Sequence, residues 1–533
     1  MSCTNPGCTR SELRDGLCLC HLANKRLPEA NAFFSYVMQQ VENRGDTNFT
    51  EFVFPPGFQI SSRTFETYGN FARAIFEGDM SFDHVNFKQG ATFNEAKFAS
   101  TFSVKDTTFG TFGTPSVVTT FDEARFAKLV FERVQFTSLA QFNRCTFSAD
   151  STFDNVTFIG NAGFQACIFS GQAAFLSVDF RRDAVFAQYN GVSTLFAKYA
   201  TFAQTEFHGA AHFDHVDFRE EANFDNAHFG GFVSFNDAQF EGRSSFFGAS
   251  FDWQAHFNQT KFQLAEFVQT TFRDVASFKA PVVEETQSAS LIFHFTRFEK
   301  SRQVAFLAIP FESLSFLKTD VAETLIVPPK SGVVGEEILD EVLLRFSKGE
   351  PISSKTTDQL ERGVAILASY LMEETVIYEY KNLRQSLENN RLFNEAAELF
   401  VHEMRMARKR SGFSFEFVAS WLYDKISLFG ESIKRPVLWS VAIIVAITLY
   451  VDVSSNPLPL WNVTNLGSVV RALYQHFWPI VSDVVTVFFQ MRDFTSTNTL
   501  AKSPVWAEIF LRVSSIVLLG NLFVAVKRRL ERK

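Results

Sequence analysis

The sequence predicts a β-solenoid followed by helices that associate with a membrane, and three observations carry that expectation. Phenylalanine recurs with a short fixed period from about Phe71 to Phe278. A small residue precedes most of these phenylalanines by two positions. Two apolar stretches lie near the C-terminus, well beyond the last repeat.

The period is clearest between Phe202 and Phe262, where phenylalanine stands at 202, 207, 213, 218, 224, 229, 235, 240, 246, 251, 257 and 262. The spacings alternate five and six, so one unit, as from Phe202 to Phe213, is eleven positions long and carries two phenylalanines. A fixed short period is the signature of stacked structural repeats. Ala91, Ala140, Ala211 and Ala222 are typical of the preceding small position, which elsewhere holds Val156, Val216, Cys145 or Cys167. Residues i and i−2 of an extended segment point to the same side. Each short segment therefore turns one large and one small apolar residue inward and leaves polar residues outside, as one flat face of a solenoid requires.

The run Ala91-Thr-Phe93-Asn-Glu, followed by Ala96-Lys-Phe98-Ala-Ser, resembles the pentapeptide-repeat proteins. That resemblance implies a right-handed, four-sided β-helix with the central Phe and the small residue both inward. Here one residue is added at every second repeat, so the expected four-faced coil takes two units, twenty-two positions in place of twenty. A two-sided coil of a single unit is the rival geometry, and it leaves little room for opposed rings in a close-packed interior. Cys145 and Cys167 hold the same small position two units apart and should stack on adjacent coils as inert core thiols. Gly110–Thr120 and Tyr189–Phe196 break the phase and read as loops at corners. Gly57–Gly69 reads as an irregular leading or capping coil, and the weaker beat from Leu291 to Val327 as terminal coils. The β-helix domain is set at 71–330, after a helix at Pro28–Arg44 and an N-terminal cap within 28–70.

The chain has 533 residues and a net charge of −8, which argues against a nucleic-acid partner bound through phosphate contacts. Residues 71–280 carry 16 Lys and Arg against 23 Asp and Glu, a weak excess for a surface that would mimic DNA. Four of six cysteines lie in the first 20 residues. Cys3, Cys8, Cys18 and His21 form a C-x4-C-x9-C-x2-H pattern, and three thiolates with one imidazole suit a closed structural zinc site. Residues 1–27 are too short to bury a useful core, so metal would supply the folding free energy. Gly16-Leu-Cys18-x-x-His21 resembles terminal zinc-ribbon modules, and Cys20 is a spare thiol.

Residues 331–411 read as a helical connector, with helices at Glu336–Phe346, Asp358–Glu374, Thr375–Leu387 and Leu392–Arg408. The last two, from Tyr380-Lys-Asn-Leu383 through Asn394-Glu-Ala-Ala397, resemble one tetratricopeptide-like hairpin. Phe413–Phe429, within 412–435, reads as an interfacial amphipathic helix. The membrane hairpin, 436–533, has spans at about 436–453 and 505–526. Basic residues flank both spans on one side, which predicts a multi-pass protein of the plasma or inner membrane with N-terminus, β-helix and C-terminus cytoplasmic. The apolar segment within 466–494 could be re-entrant, interfacial or soluble. The order of span, short helix and span resembles the pore module of two-helix cation channels, but Phe489-Gln-Met-Arg-Asp-Phe494 stands where a Thr-Val-Gly-Tyr-Gly filter would be sought.

No nucleophile motif or phosphate loop is present, and His208, His212 and His215 read as solvated. The expected function is a non-enzymatic, membrane-anchored scaffold, homo-oligomeric in the bilayer, that displays a rigid β-helix to a cytoplasmic protein and serves sensing or signalling. A gated oligomeric channel is the alternative. A DNA-mimic inhibitor of topoisomerase is a third reading, disfavoured by the charge and the anchor.

Overall fold

The computed structural model describes residues 2–6, 8–42, 47–113, 117–280, 290–329, 338–350, 372–410, 412, 414–455, 477–491 and 505–532. The repeat forms a parallel β-solenoid of about 12 turns with about 22 residues per turn. Along one face, Asp179–Phe180, Glu206–Phe207, His228–Phe229, Ser250–Phe251 and Thr271–Phe272 pair in sequence. Another face runs through Ala184–Val185, Ala211–His212, Val233–Ser234 and Ala255–Asn258. Two further faces, exemplified by Asp217–Phe218 and Ala222–Asn223, merge into one sheet because long strands such as Lys97–Lys105 and Arg125–Glu132 run round the corner between them. The coil is therefore four-sided. Phe207 pairs with Phe229, two units on, whereas a coil of a single unit would have paired it with Phe218.

The alternation of five and six has a backbone cause. Each five-residue spacing contains a tight corner: the Ala227 N–H donates to the Phe224 carbonyl at 3.1 Å, and Asn226 between them has φ +56°. A hydrogen bond from i+3 to i with positive φ at i+2 is what a type II turn provides. The six-residue spacing takes a wider corner, where coils approach closely. At Gly231 a Cβ would lie 2.2 Å from the carbonyl oxygen of Gly209 on the coil before, so only glycine fits.

The two breaks in phase are insertions that leave the ladders intact. Thr92 pairs with Thr120 and Phe169 with Phe196, and the second insertion folds as a small turn bridged by Tyr189 and Val192. Cys145 and Cys167 lie fully buried on adjacent coils, each with its Sγ against a backbone carbonyl, at 2.9 and 2.8 Å. Gly57–Gly69 proves more regular than its composition suggests: Phe58–Ser61 pairs with Met80–Asp83, Thr64–Phe65 with Asn86–Phe87 and Gly69–Asn70 with Ala91–Thr92.

Both ends of the solenoid are covered. Helix α1 (Leu27–Glu42) buries Phe33, Val37 and Val41, with the Phe33 ring edge-on to Phe54 at 5.2 Å. At the far end lie α2 (Leu339–Ser347) and α3 (Glu373–Asn389). The α3 side chains satisfy carbonyls of the last coils: Asn382 Nδ2 donates to Thr319 O at 2.7 Å and Ser386 Oγ to Thr324 O at 2.8 Å. Most of the helix expected at Asp358–Glu374 falls outside the described residues.

The chain divides into two compact units, 1–391 and 392–533. The second contains α4 (Phe393–Arg410), α5 (Phe415–Ser427), α6 (Lys434–Ser455), α7 (Trp478–Phe488) and α8 (Val505–Glu531). Helices α6, α7 and α8 share an apolar cluster that includes Val451, Val484, Phe488 and Leu511. Helices α6 and α8 are long and apolar enough to cross a membrane. The expected hairpin of α3 and α4 straddles the division, and its two helices belong to different units.

Candidate metal centre and the charged ends

Residues 2–6 and 8–22 fold around their own cysteines. The Cys8 N–H donates to Asn5 O at 3.1 Å, closing a turn behind the first pair of thiols. A tight hairpin, with Leu17 N–H on Arg14 O at 2.9 Å, delivers Cys18. From there one helical turn carries the chain to His21, with Leu22 N–H on Cys18 O at 3.0 Å. This brings Cys3, Cys8, Cys18 and His21 together, their donor atoms all within 4.8 Å of one another. Cys8 Sγ lies 3.8 Å from Cys18 Sγ, and His21 Nδ1 lies 3.4 Å from Cys3 Sγ and 3.3 Å from Cys18 Sγ. A tetrahedral ion with sulfur bonds near 2.3 Å and a nitrogen bond near 2.0 Å needs edges of roughly 3.5–3.8 Å. These three separations match that size.

The electrostatics of the donors pull in both directions, and burial raises the Cys18 thiol. Burial opposes ionisation of Cys3, but hydrogen bonds from Asn5 and Cys18 hold its thiol below the usual range. Desolvation lowers His21, leaving the neutral imidazole that a metal requires. Burial pushes the Cys20 thiol up to about 12, and its sulfur lies outside the cluster formed by the other four donors. Its carbonyl instead accepts from Val53 N at 2.8 Å and ties the module to the first coil. The His21 ring meets Phe52 edge-on at 5.7 Å, and the Arg10 guanidinium lies 5.0 Å from the same ring.

At the opposite end of the solenoid, three titratable groups are buried that sequence reasoning missed. His294 Nε2 contacts Ser315 Oγ at 2.5 Å, and the same hydroxyl donates to Asp340. Glu379 on α3 accepts from the Lys318 N–H at 3.2 Å. Burial lowers His294 to about 4, raises Asp340 to about 6 and, with the Asp340 charge, raises Glu379 to about 9. Beside them Tyr380 donates to Glu341 at 2.7 Å. Repeat position could have flagged His294, which stands inside a coil, but the two carboxylates sit on helices where acidic residues normally face water.

His208, His212 and His215 do not converge. His208 Nε2 lies 3.2 Å from Glu206 and 3.4 Å from Asp179, His212 faces Asp214 at 3.7 Å, and His215 occupies a tight corner with φ +57°. The Phe489–Phe494 segment is described only to Met491; there Gln490 Nε2 donates to Ser515 Oγ at 3.4 Å.

Comparison with known proteins agrees with the fold. Residues 202–250 match a family model described as pentapeptide repeats (9 copies). An uncharacterized protein of Methanocaldococcus jannaschii is 31% identical over 224 residues, which are 41% of this chain and 45% of that protein. The match thus spans less than half the length of that relative. No solved structure matches the chain.

Proposed function

The repeat segment is a pentapeptide-repeat solenoid, and from that premise we propose that the chain is a non-enzymatic, membrane-anchored scaffold that offers the β-helix as a rigid surface to a cytoplasmic protein. The carrying observation is the division of labour between the two units. In the first, the repeated side chains are spent on a closed core, so the coils project mixed polar residues with a mild acidic excess. In the second, only 22% of the apolar window of each long helix is buried by protein. A core helix of a soluble protein would be mostly covered, so these two call for a lipid surrounding. Retention of the full-length protein in membranes after alkaline carbonate, with release by detergent, tests the anchor; release by carbonate alone would remove it.

A second reading, an oligomeric channel gated by the solenoid, is favoured by the packing of the short helix α7 against both α6 and α8 through Ile480, Val484 and Val487. Conductance of proteoliposomes separates the two. The scaffold passes no current, and a current abolished by changes at 485–494 would establish the channel.

For the N-terminal module we infer one structural zinc ion on Cys3, Cys8, Cys18 and His21. With four protein donors the ion keeps no open position, so it would supply folding energy and no chemistry. Purified protein is expected to carry about one zinc per chain, and Cys18→Ser to lose it and expose residues 2–22 to proteolysis. Full zinc retention in that variant would refute the assignment.

A further inference from the structure

Helix α5 has two chemically distinct faces. Phe415, Val418, Trp421 and Leu422 share one face and are exposed, Phe415 to 87%. On the other, Asp424 and Ser427 are buried against the helical unit. That inner face is fixed by charge. Asp424 accepts from Arg405 at 3.1 and 3.2 Å and from Arg408 at 3.2 Å, while Arg435 donates to its backbone carbonyl at 2.9 Å. A second buried carboxylate, Glu431, accepts from Arg528 at 2.7 Å and from Arg532. Five arginines thus gather around two carboxylates, at the end of the unit where α6 begins and α8 finishes.

The acids do not balance the cations there. Residues 405–435 and 527–532 together carry eleven Lys and Arg against four Asp and Glu. Lys425, Lys434 and Arg529 are among the exposed ones. An apolar helix face beside a surplus of cations, level with the ends of two apolar helices, matches one surface in both respects. We propose that this face docks on the anionic lipid headgroups of the leaflet, with Phe415, Val418, Trp421 and Leu422 sunk below the phosphates and the cations at their level. The proposal rests on the membrane reading of α6 and α8. A protein partner would account for the apolar face but not for the charge beside both helix ends.

The test uses full-length protein reconstituted into phosphatidylcholine vesicles, with or without phosphatidylglycerol. Trp421 fluorescence is isolated by difference from Trp421→Phe, and quenching by brominated lipid is read. Brominated phosphatidylglycerol is expected to quench Trp421 more strongly than brominated phosphatidylcholine. Each surface cation contributes roughly a fivefold preference at low salt. Lys425→Gln, Lys434→Gln and Arg529→Gln together should therefore erase most of the difference, while inorganic phosphate at matched ionic strength leaves it intact. Equal quenching by the two lipids, or a preference that survives the triple variant, overturns the proposal while protein retained after carbonate keeps the membrane reading. Loss of the preference on adding inorganic phosphate overturns it in favour of a free-anion site. Absence of quenching by either lipid in retained protein overturns it in favour of a protein-covered face. Protein that carbonate strips from the vesicles removes the membrane reading and this inference together.

Discussion

Most phenylalanines of the solenoid interior have two kinds of neighbour. Phe213 lies parallel to Phe186 and Phe235 on the coils either side, at 4.9 and 4.8 Å, and edge-on to Phe202 and Phe224 across the coil. Edge-on contact brings the positive ring rim to the negative face, so a cross-section filled with rings is electrostatically consistent as well as dense. The cost of this core falls at the tight corners. Gln204, His215, Asn226 and Asp237 all have φ between +56° and +58°. A left-handed backbone costs a non-glycine residue about 1–2 kcal/mol. Gln204 is exposed, so the backbone effect can be isolated there. Gln204→Gly is expected to preserve or raise the denaturation midpoint, because glycine carries no Cβ to clash. Gln204→Val should lower stability by about 1–2 kcal/mol, since a β-branched residue tolerates that backbone poorly. Equal effects in the two variants would show that the corner is not limited by its backbone. These corners are hidden in the sequence, because Arg, Glu, Gln and His occupy positions where a reader looks for glycine.

At the scale of single elements, α3 is where buried charge should govern stability. Glu379 is 1% exposed and is raised to about 9 by burial and by Asp340. The docked state therefore holds a proton that a free carboxyl releases near pH 4.5, and docking weakens as pH rises toward 9. Asp340, raised to about 6, works in the same sense at lower pH. His294, lowered to about 4, works against both below its ordinary 6.5, where a released imidazole would gain a proton. Between pH 6.5 and 8.5 only Glu379 remains to act, at a cost of about 2–3 kcal/mol. Amide exchange across 373–389, corrected for intrinsic rates, should lose protection over that range in the natural protein and hold it in Glu379→Gln. A variant that keeps the full pH slope would assign the effect elsewhere. The contrast with the N-terminal cysteine cluster explains what a sequence can and cannot disclose. Cys3, Cys8, Cys18 and His21 lie close together along the chain, so their spacing carries the geometry. His294, Asp340 and Glu379 are far apart in the chain and meet only through tertiary packing, and Asp340 and Glu379 look like the ordinary polar faces of amphipathic helices. The regular coils were legible for the same reason as that cluster, since register follows from a local period. The outer coils were less so, because Gly57–Gly69 and 290–327 keep the ladder while replacing many phenylalanines.

Across the whole molecule, the period runs out at one end and apolar length takes over at the other. Unit one closes its core with α1 and α3, and α3 side chains satisfy the carbonyls of the terminal coils, as in Asn382 on Thr319, with Asn390 just beyond the helix on Thr324. A solenoid end left open would expose unpaired backbone and stacked rings to water, at a cost that capping removes. Unit two gathers its own apolar cluster from α6, α7 and α8. Each unit thus meets its main packing requirement internally, although α6 and α8 leave most of their apolar length uncovered by protein. Division after Arg391 is therefore expected to yield a soluble 1–391 fragment. Its unfolding midpoint and its α3 exchange protection should match those of the full-length chain in detergent, and it should remain in the supernatant when membranes are sedimented. The 392–533 fragment should sediment with membranes and require detergent. Loss of α3 protection in the first fragment would show that the solenoid cap depends on the second unit. A first fragment that still sediments with membranes would move the anchor out of the helical unit and into the coils.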